Sequence, residues 1–284
     1  MTSPFDPLLG LELQPSSHPH GSNLATKTRT RLSPKQTHAL SLAVPEYLEL
    51  YKVSEKYEGS LSSLPVLLAE VDKYCDLISG PDVNCFSHQS DFVSSLLPEL
   101  LCTLFRRVIK EMPNCGGLIV TAQKDIVIEC NFDVASGGRI IEKRKRMDVA
   151  VLAPGTLSFR DVGIDFWIPA VCAEVKTNID KNMLSGMEAS VETLKRTFPR
   201  TKYYAIGEYS DFQIESQNYA ATGIDEILIV RRQKRSAVRR APGARNPLGE
   251  TLLESFLTEV KDHLMETMQP HTNLAARLPS GRLT

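Results

Sequence analysis

The spacing of apolar residues changes along the chain, from a period of three to four residues to a period of two. Apolar stripes typical of one helical face run through Leu61–Ile78 and through about His88–Glu111. An earlier helical pattern begins at Ser33-Pro34, and Pro45 is expected to interrupt it before a further helix through Tyr47–Tyr57. The first part of the chain is therefore predicted to be helical.

After Gly116-Gly117 the pattern becomes typical of strands. Short apolar runs at Leu118–Val120, Ile126–Ile128 and Arg139–Ile141 predict a meander that leads into a strand over Met147–Leu152. A turn is expected at Ala153-Pro154-Gly155, because proline and glycine are typical turn residues.

The second half of the chain alternates strand and helix patterns. A strand is predicted over Val171–Lys176, followed by a helix that Thr177–Asp180 can cap and that ends near Phe198-Pro199. Two more short strands are predicted at Tyr203–Ile206 and Ile227–Val230.

This order of elements predicts an α/β fold, with a mixed central β-sheet flanked by helices and a helical N-terminal part. Residues 1–33 lack apolar periodicity and are predicted to be a flexible, loosely held arm. The rest, 34–284, is expected to be a single domain. Its predicted parts are a helical part (34–86), a core (87–230), a basic loop (231–247) and a C-terminal helix (248–269).

Composition narrows the class of protein. Hydrophobic residues make up 42% of the chain and charged residues 24%, as in an ordinary globular protein. No apolar run reaches the roughly 20 residues that span a bilayer, so we expect no membrane partner and a cytoplasmic protein. The six cysteines include no CxxC pair and are expected to be reduced.

The candidate chemistry lies on two predicted strands. Side chains two residues apart on a strand share a face, so Glu174 and Lys176 project together while Ala173 and Val175 face the core. Asp148 lies at the start of the other predicted strand, which could pair with this one. The alternative is an incidental surface ion pair, but charged residues within apolar strands are costly to bury and need a reason.

These residue types suit phosphodiester hydrolysis. Two carboxylates can hold Mg²⁺, which prefers oxygen ligands, and a lysine can orient the attacking water and stabilise charge on the phosphoryl oxygens. The predicted catalytic residues are Asp148, Glu174 and Lys176, and the predicted metal ligands are Asp148 and Glu174.

Asp148 followed by Glu174-Val175-Lys176 on an apolar strand resembles the PD-(D/E)XK nuclease superfamily over about residues 90–230, although Met147 stands where the nominal motif has proline. More narrowly, Arg144-x-Arg146-Met147-Asp148 together with Glu174–Lys181 is similar to type II restriction endonucleases of the BbvCI kind. The resemblance implies Mg²⁺-dependent, sequence-specific cleavage of double-stranded DNA. It also implies one active site per subunit and a second nuclease subunit, so that each subunit cuts one strand.

Many relatives in this superfamily carry a further acidic residue on a helix before the sheet. Glu99 is the best candidate for that residue here, and its rivals are Glu111, Glu129 and Glu142. The alternative for Glu99 is an ordinary glutamate on a helix surface.

Net charge is only −1, so attraction to DNA depends on local basic clusters. The predicted DNA-binding residues are Lys143, Arg144, Arg146, Lys181, Arg231, Arg232, Arg235 and Arg239. The basic segment 231–245 could instead be a solvated loop.

Other activities are disfavoured. No histidine lies at H-x-x-x-H or HNH-like spacing, and no G-x-x-x-x-G-K-[ST] loop is present, so a histidine-based nuclease and an ATP-driven enzyme are not expected. Two alternatives stay open: a structure-specific repair or junction nuclease, and a DNA-binding subunit that does not cut. The sequence leaves the recognition site and the choice between identical and different subunits open.

Overall fold

The computed structural model describes residues 5–83, 85–86, 92–113, 115, 117–133, 139–159, 162–211, 222–240 and 245–268. Within the strands, the side chains at 130, 132–133, 139–140, 157–159 and 162–165 are not described. The prediction that Cys130 is reduced therefore lies outside the described residues. The five described cysteines carry free thiols. No helix in the described ranges is long and apolar enough to span a membrane.

The described residues form eight helices and five strands. The helices are α1 (Asp6–Leu9), α2 (Pro19–Thr28), α3 (Pro34–Glu58), α4 (Leu64–Ser79), α5 (Leu96–Glu111), α6 (Lys181–Thr197), α7 (Arg235–Arg240) and α8 (Glu250–Thr267). The strands are β1 (Ile119–Asp133), β2 (Arg139–Phe159), β3 (Val162–Ile179), β4 (Lys202–Ser210) and β5 (Glu226–Ile229).

The strands form one mixed sheet in the order β1-β2-β3-β4-β5. The pairs β1–β2 and β2–β3 are antiparallel, whereas the pairs β3–β4 and β4–β5 are parallel. Parallel neighbours need a crossover connection, and α6 provides it between β3 and β4. This arrangement confirms the predicted mixed sheet with flanking helices.

The sheet separates two hydrophobic cores. On one face, residues of α3, α4, α5 and α8 pack with Val149 and Val151; we call this the helix-side core. On the other face, Leu184, Met187 and Val191 of α6 pack with sheet residues; we call this the α6-side core. Burial on both faces explains the nearly continuous apolar runs in the central strands.

Two prolines were expected to interrupt elements, but the elements continue. Pro45 lies inside α3, where it is exposed, so water can replace the lost backbone hydrogen bond. The turn predicted at Ala153-Pro154-Gly155 is wrong, because β2 continues to Phe159. Among the described residues, pairing of β1 with β2 starts only at Ile119↔Leu152, so Pro154 lies beyond this pairing, at an edge where a missing N–H is tolerated.

The loosely held arm predicted for residues 1–33 is wrong for its described residues. They contain α1 and α2, and Leu8 and Leu24 are fully buried. The start of α2 is held by the Glu99 carboxylate, which accepts hydrogen bonds from the backbone N–H groups of His20 (2.7 Å) and Gly21 (2.9 Å). These first-turn donors lack partners within the helix, so a buried carboxylate can anchor it.

Gly21 gives a test of this anchoring. A Cβ at Gly21 would lie 2.0 Å from the Tyr47 hydroxyl, so Gly21→Ala should overpack the contact and lower the free energy of unfolding by about 1–3 kcal/mol. Gly186 is a matched helical control, since a Cβ there meets nothing within 4 Å, and Gly186→Ala should be neutral or stabilising by about 0.5–1 kcal/mol. Urea unfolding of both variants measures the difference; equal stabilities would contradict the packing of α2.

Candidate active site

The sheet opens between β2 and β3 where the candidate carboxylates lie. Cα pairing of these strands ends at Val149↔Ala173, although β2 continues back along β1 and β3 continues along β4. Asp148 lies immediately before Val149 on β2, just beyond this last pair. Its Oδ2 accepts a hydrogen bond from the backbone N–H of Val175 at 2.8 Å. A side-chain carboxylate thus replaces a backbone carbonyl as acceptor, and the strands can part without leaving this N–H unpaired.

The opening brings the three predicted catalytic residues together. Lys176 Nζ lies 3.1 Å from Asp148 Oδ2 and 3.4 Å from Glu174 Oε1. All three side chains are partly exposed, by 32% for Lys176, 21% for Asp148 and 18% for Glu174. They form a compact charged cluster that solvent and a substrate can reach.

Two further residues, which the sequence analysis did not single out as site residues, contact the same cluster. Lys145 Nζ lies 2.9 Å from Glu174 Oε2, and the Tyr203 hydroxyl donates to that same oxygen. Lys145 also lies over the Tyr203 ring, 6.0 Å from its centroid. Glu174 Oε2 is therefore held by two donors, while Oε1 faces Lys176.

The local environment fixes the charges of this cluster. Burial favours the neutral form of Glu174, but the hydrogen bonds from Tyr203 and Lys145 and the two nearby ammonium groups outweigh it, so the pKa of Glu174 lies below its ordinary value. Burial also opposes the charged form of Lys176, yet Asp148 and Glu174 raise its pKa. Both groups are charged at neutral pH.

This arrangement fits a hard divalent cation. Asp148 and Glu174 present oxygens on either side of one positive charge, the ammonium of Lys176. The described residues contain no group of three or more histidine, cysteine, aspartate or glutamate side chains that could hold a metal. A cation here would take two protein carboxylates and complete its shell with water and substrate oxygens, as Mg²⁺ commonly does.

The four candidates for a further acid lie apart from this cluster. Glu99 is buried at the start of α2, where it also accepts the Tyr47 hydroxyl at 2.7 Å, and burial raises its pKa. Its carboxylate therefore stabilises the fold. Its rivals are paired elsewhere: Glu111 with Arg107 and Lys261, Glu129 with Lys143, and Glu142 with Arg144.

A cleft of about 1510 Å³ adjoins the cluster, with Asp148 and Lys176 among its lining residues. Three of the predicted DNA-binding arginines line the same cleft: Arg146, Arg235 and Arg239. Arg245, from the same basic segment, lines it too. Four other predicted contacts are exposed but are not among the described residues that line the cleft: Lys143, Arg144, Lys181 and Arg232.

Arg231 is a correction to the predicted DNA-binding set, because its side chain is only 2% exposed. Its Nη1 lies 2.8 Å from Asp72 Oδ1, and its Nε lies 2.6 Å from Glu208 Oε1. These ion pairs attach the start of the basic segment to α4 and β4. Arg231 therefore holds the segment in place and cannot reach a phosphate.

Two comparisons of this chain with known proteins, one of sequence and one of structure, found matches. The family model for the Bpu10I restriction endonuclease matches residues 157–245, which include Glu174, Lys176, Tyr203 and the basic segment. Among solved structures, a chain of the native BbvCI A2B2 tetramer at low resolution matches with a TM-score of 0.64 and 22% sequence identity. The match covers 89% of this chain and 97% of that chain.

The chain has a restriction-endonuclease fold. The resemblance to type II restriction endonucleases of the BbvCI kind is thereby confirmed. No curated protein is a significant match to the sequence. Glu174 and Lys176 lie within the residues that the family model matches, whereas Asp148 precedes them in the sequence.

Replacing Arg231 tests its structural role. Arg231→Ala leaves Asp72 and Glu208 without their shared cation, and we expect a loss of about 3–5 kcal/mol in the free energy of unfolding. Arg239→Ala removes an exposed arginine of the same segment and should change stability by less than about 0.5 kcal/mol. Denaturant unfolding compares the two, and a small effect of Arg231→Ala would contradict the assignment.

Proposed function

We propose that this chain is a subunit of a type II restriction endonuclease, which hydrolyses phosphodiester bonds at specific sites in double-stranded DNA. The observation that carries the proposal is the convergence of Asp148, Glu174 and Lys176 at the opening between β2 and β3. The match to the Bpu10I restriction endonuclease model supports the same activity.

Asp148 and Glu174 would hold the Mg²⁺ that this chemistry uses. A bound Mg²⁺ would supply a Lewis acid that offsets the negative charge of the phosphate and lowers the pKa of water next to it. Lys145 and Tyr203 fix Glu174 through Oε2 and leave Oε1 directed at the cluster. Their role in the proposal is to keep Glu174 ionised and in one orientation.

Lys176 would act on the substrate itself. Its ammonium is held between the two carboxylates and lines the cleft, so a phosphate that enters the cleft meets a fixed positive charge. Such a charge stabilises the negative charge that develops on the phosphoryl oxygens during attack. Because the carboxylates already hold the Lys176 ammonium in position, this group needs little reorganisation during the reaction.

DNA would bind along the cleft through phosphate contacts. Arg146, Arg235 and Arg239 line the cleft together with the cluster and would contact the nearest phosphates. The exposed side chains Lys143, Arg144, Lys181 and Arg232 would contact the backbone farther out. Because these contacts would neutralise phosphates and release counterions, binding should weaken steeply as the salt concentration rises.

A second nuclease subunit would complete the enzyme. One cluster can cut one strand, so cleavage of both strands requires a second site, on an identical or a related chain. The BbvCI structure that this chain resembles is described as an A2B2 tetramer. The match to a chain of that tetramer supports the proposal of a partner subunit.

The cleavage assay uses mapped plasmid DNA, Mg²⁺ and the purified chain, alone and with a candidate partner subunit. We expect discrete nicks or double-strand breaks at fixed positions. Asp148→Asn, Glu174→Gln and Lys176→Met should each reduce cleavage by at least roughly 100-fold while retaining DNA binding in a gel-shift assay. Glu142→Gln removes an exposed carboxylate of β2 and should cut like the parent.

Each other outcome has a definite meaning. Parent-like cleavage by all three site variants would refute the assigned site. Cleavage confined to branched or damaged DNA would favour a structure-specific repair or junction nuclease. Tight binding with no cutting in any subunit combination would favour a DNA-binding subunit that does not cut.

The pH dependence of cleavage tests Lys145. Activity requires ionised Glu174, whose pKa is held below its ordinary value partly by Lys145. Lys145→Met removes a hydrogen bond and a positive charge, so the pKa of Glu174 should rise and the acid limb of the rate profile should move to higher pH. Lys143→Met, an exposed neighbour on β2, is the control and should leave the profile unchanged.

A further inference from the structure

Strands β1 and β2 each have side chains on one face that point into the helix-side core at one position and into the α6-side core a few residues away. The change occurs at paired positions on the two strands. In a regular strand, residues two or four apart share a face. Ala122 packs in the helix-side core, yet Ile126 packs in the α6-side core. On the neighbouring strand, Val149 packs in the helix-side core and Met147 in the α6-side core. Both strands therefore twist sharply between these residues.

Gln123 lies at that twist, opposite Asp148. The pairs Ala122↔Val149 and Lys124↔Met147 flank the two residues on either side. Gln123 has φ of 53°, in the left-handed region that residues other than glycine rarely adopt. Strained backbone of this kind persists where the surrounding structure enforces it, often at functional sites.

The twist directs the Gln123 side chain at the catalytic carboxylate. Gln123 Nε2 lies 3.4 Å from Asp148 Oδ1, while Oδ2 accepts the Val175 N–H and the Lys176 ammonium. The two oxygens of Asp148 are thus approached from β1 and from β3. Gln123 is exposed and lines the cleft, so the hydrophobic cores do not explain its position.

We propose that Gln123 is a positioning residue, which orients Asp148 Oδ1 toward the divalent cation through its side-chain amide. This inference rests on the proposed function, because it assumes that Asp148 is a ligand of the cation. Partners that orient metal ligands commonly contribute about 10–100-fold to metal affinity. The weak 3.4 Å contact places Gln123 at the low end of that range.

Calorimetric titration of the full chain with Ca²⁺ measures cation binding apart from cleavage, because Ca²⁺ takes the same class of oxygen ligands. Gln123→Met keeps a side chain of similar length on the same backbone but lacks the amide. Gln123→Gly removes the side chain and suits the left-handed backbone. We expect both variants to bind Ca²⁺ about 10-fold more weakly than the parent. Without metal, Gln123→Met should unfold at the same temperature as the parent, and Gln123→Gly at the same or a higher temperature, because glycine relieves the left-handed backbone.

Ser60→Gly is the matched control, since Ser60 is an exposed residue with φ of 65° that is not among the described residues lining the cleft. It should bind Ca²⁺ like the parent. Parent-like affinity of Gln123→Met would overturn the inference, even if Gln123→Gly bound weakly, because the amide would then be dispensable.

Asp148→Asn separates this inference from the proposed function. If Asp148→Asn weakens Ca²⁺ binding but the Gln123 variants do not, the inference about Gln123 fails and the proposed metal site stands. If the parent shows no saturable Ca²⁺ binding, or if Asp148→Asn leaves it unchanged, the proposed metal site itself fails.

Discussion

The hydrogen bond from the Val175 backbone N–H to the Asp148 carboxylate is the contact on which the site depends. Two central strands of a buried sheet can part only if the backbone groups at the fork find other partners, since an unpaired buried group costs about 1–3 kcal/mol. Asp148 supplies that partner with one oxygen. The same bond therefore ends the β2–β3 pairing, fixes the carboxylate and leaves room for Glu174 and Lys176 to meet it.

The charges around this fork compensate one another. Two carboxylates are balanced by Lys145 and Lys176, and the Tyr203 hydroxyl adds a neutral donor. Such a cluster is costly to assemble in a partly buried place, because each group loses water. The cost is offset by close ion pairs, and the result is a site whose orientation and ionisation are already set in the free protein.

The sequence predicted those parts of the site that depend on local pattern. Glu174 and Lys176 lie two residues apart on an apolar strand, so their shared face follows from strand geometry, and the mixed sheet follows from the order of elements. The contacts of Lys145 and Gln123 with the carboxylates could not be predicted, because they depend on strand register and on the twist between the two cores. Arg231 was misassigned for a related reason: its partner Asp72 is 159 residues away.

Because Glu99 holds the start of α2, the amino-terminal segment forms part of the cleft beside the charged cluster. Pro19 and Asn23 of this helix line the same cleft as Asp148, and Glu99 secures the helix to α5 from beneath. A protein shortened to begin at Ser33 would lose the part of the cleft wall that Pro19 and Asn23 form. It would also leave the buried Glu99 carboxylate without two amide donors, so loss of this segment should both destabilise the fold and change the shape of the cleft.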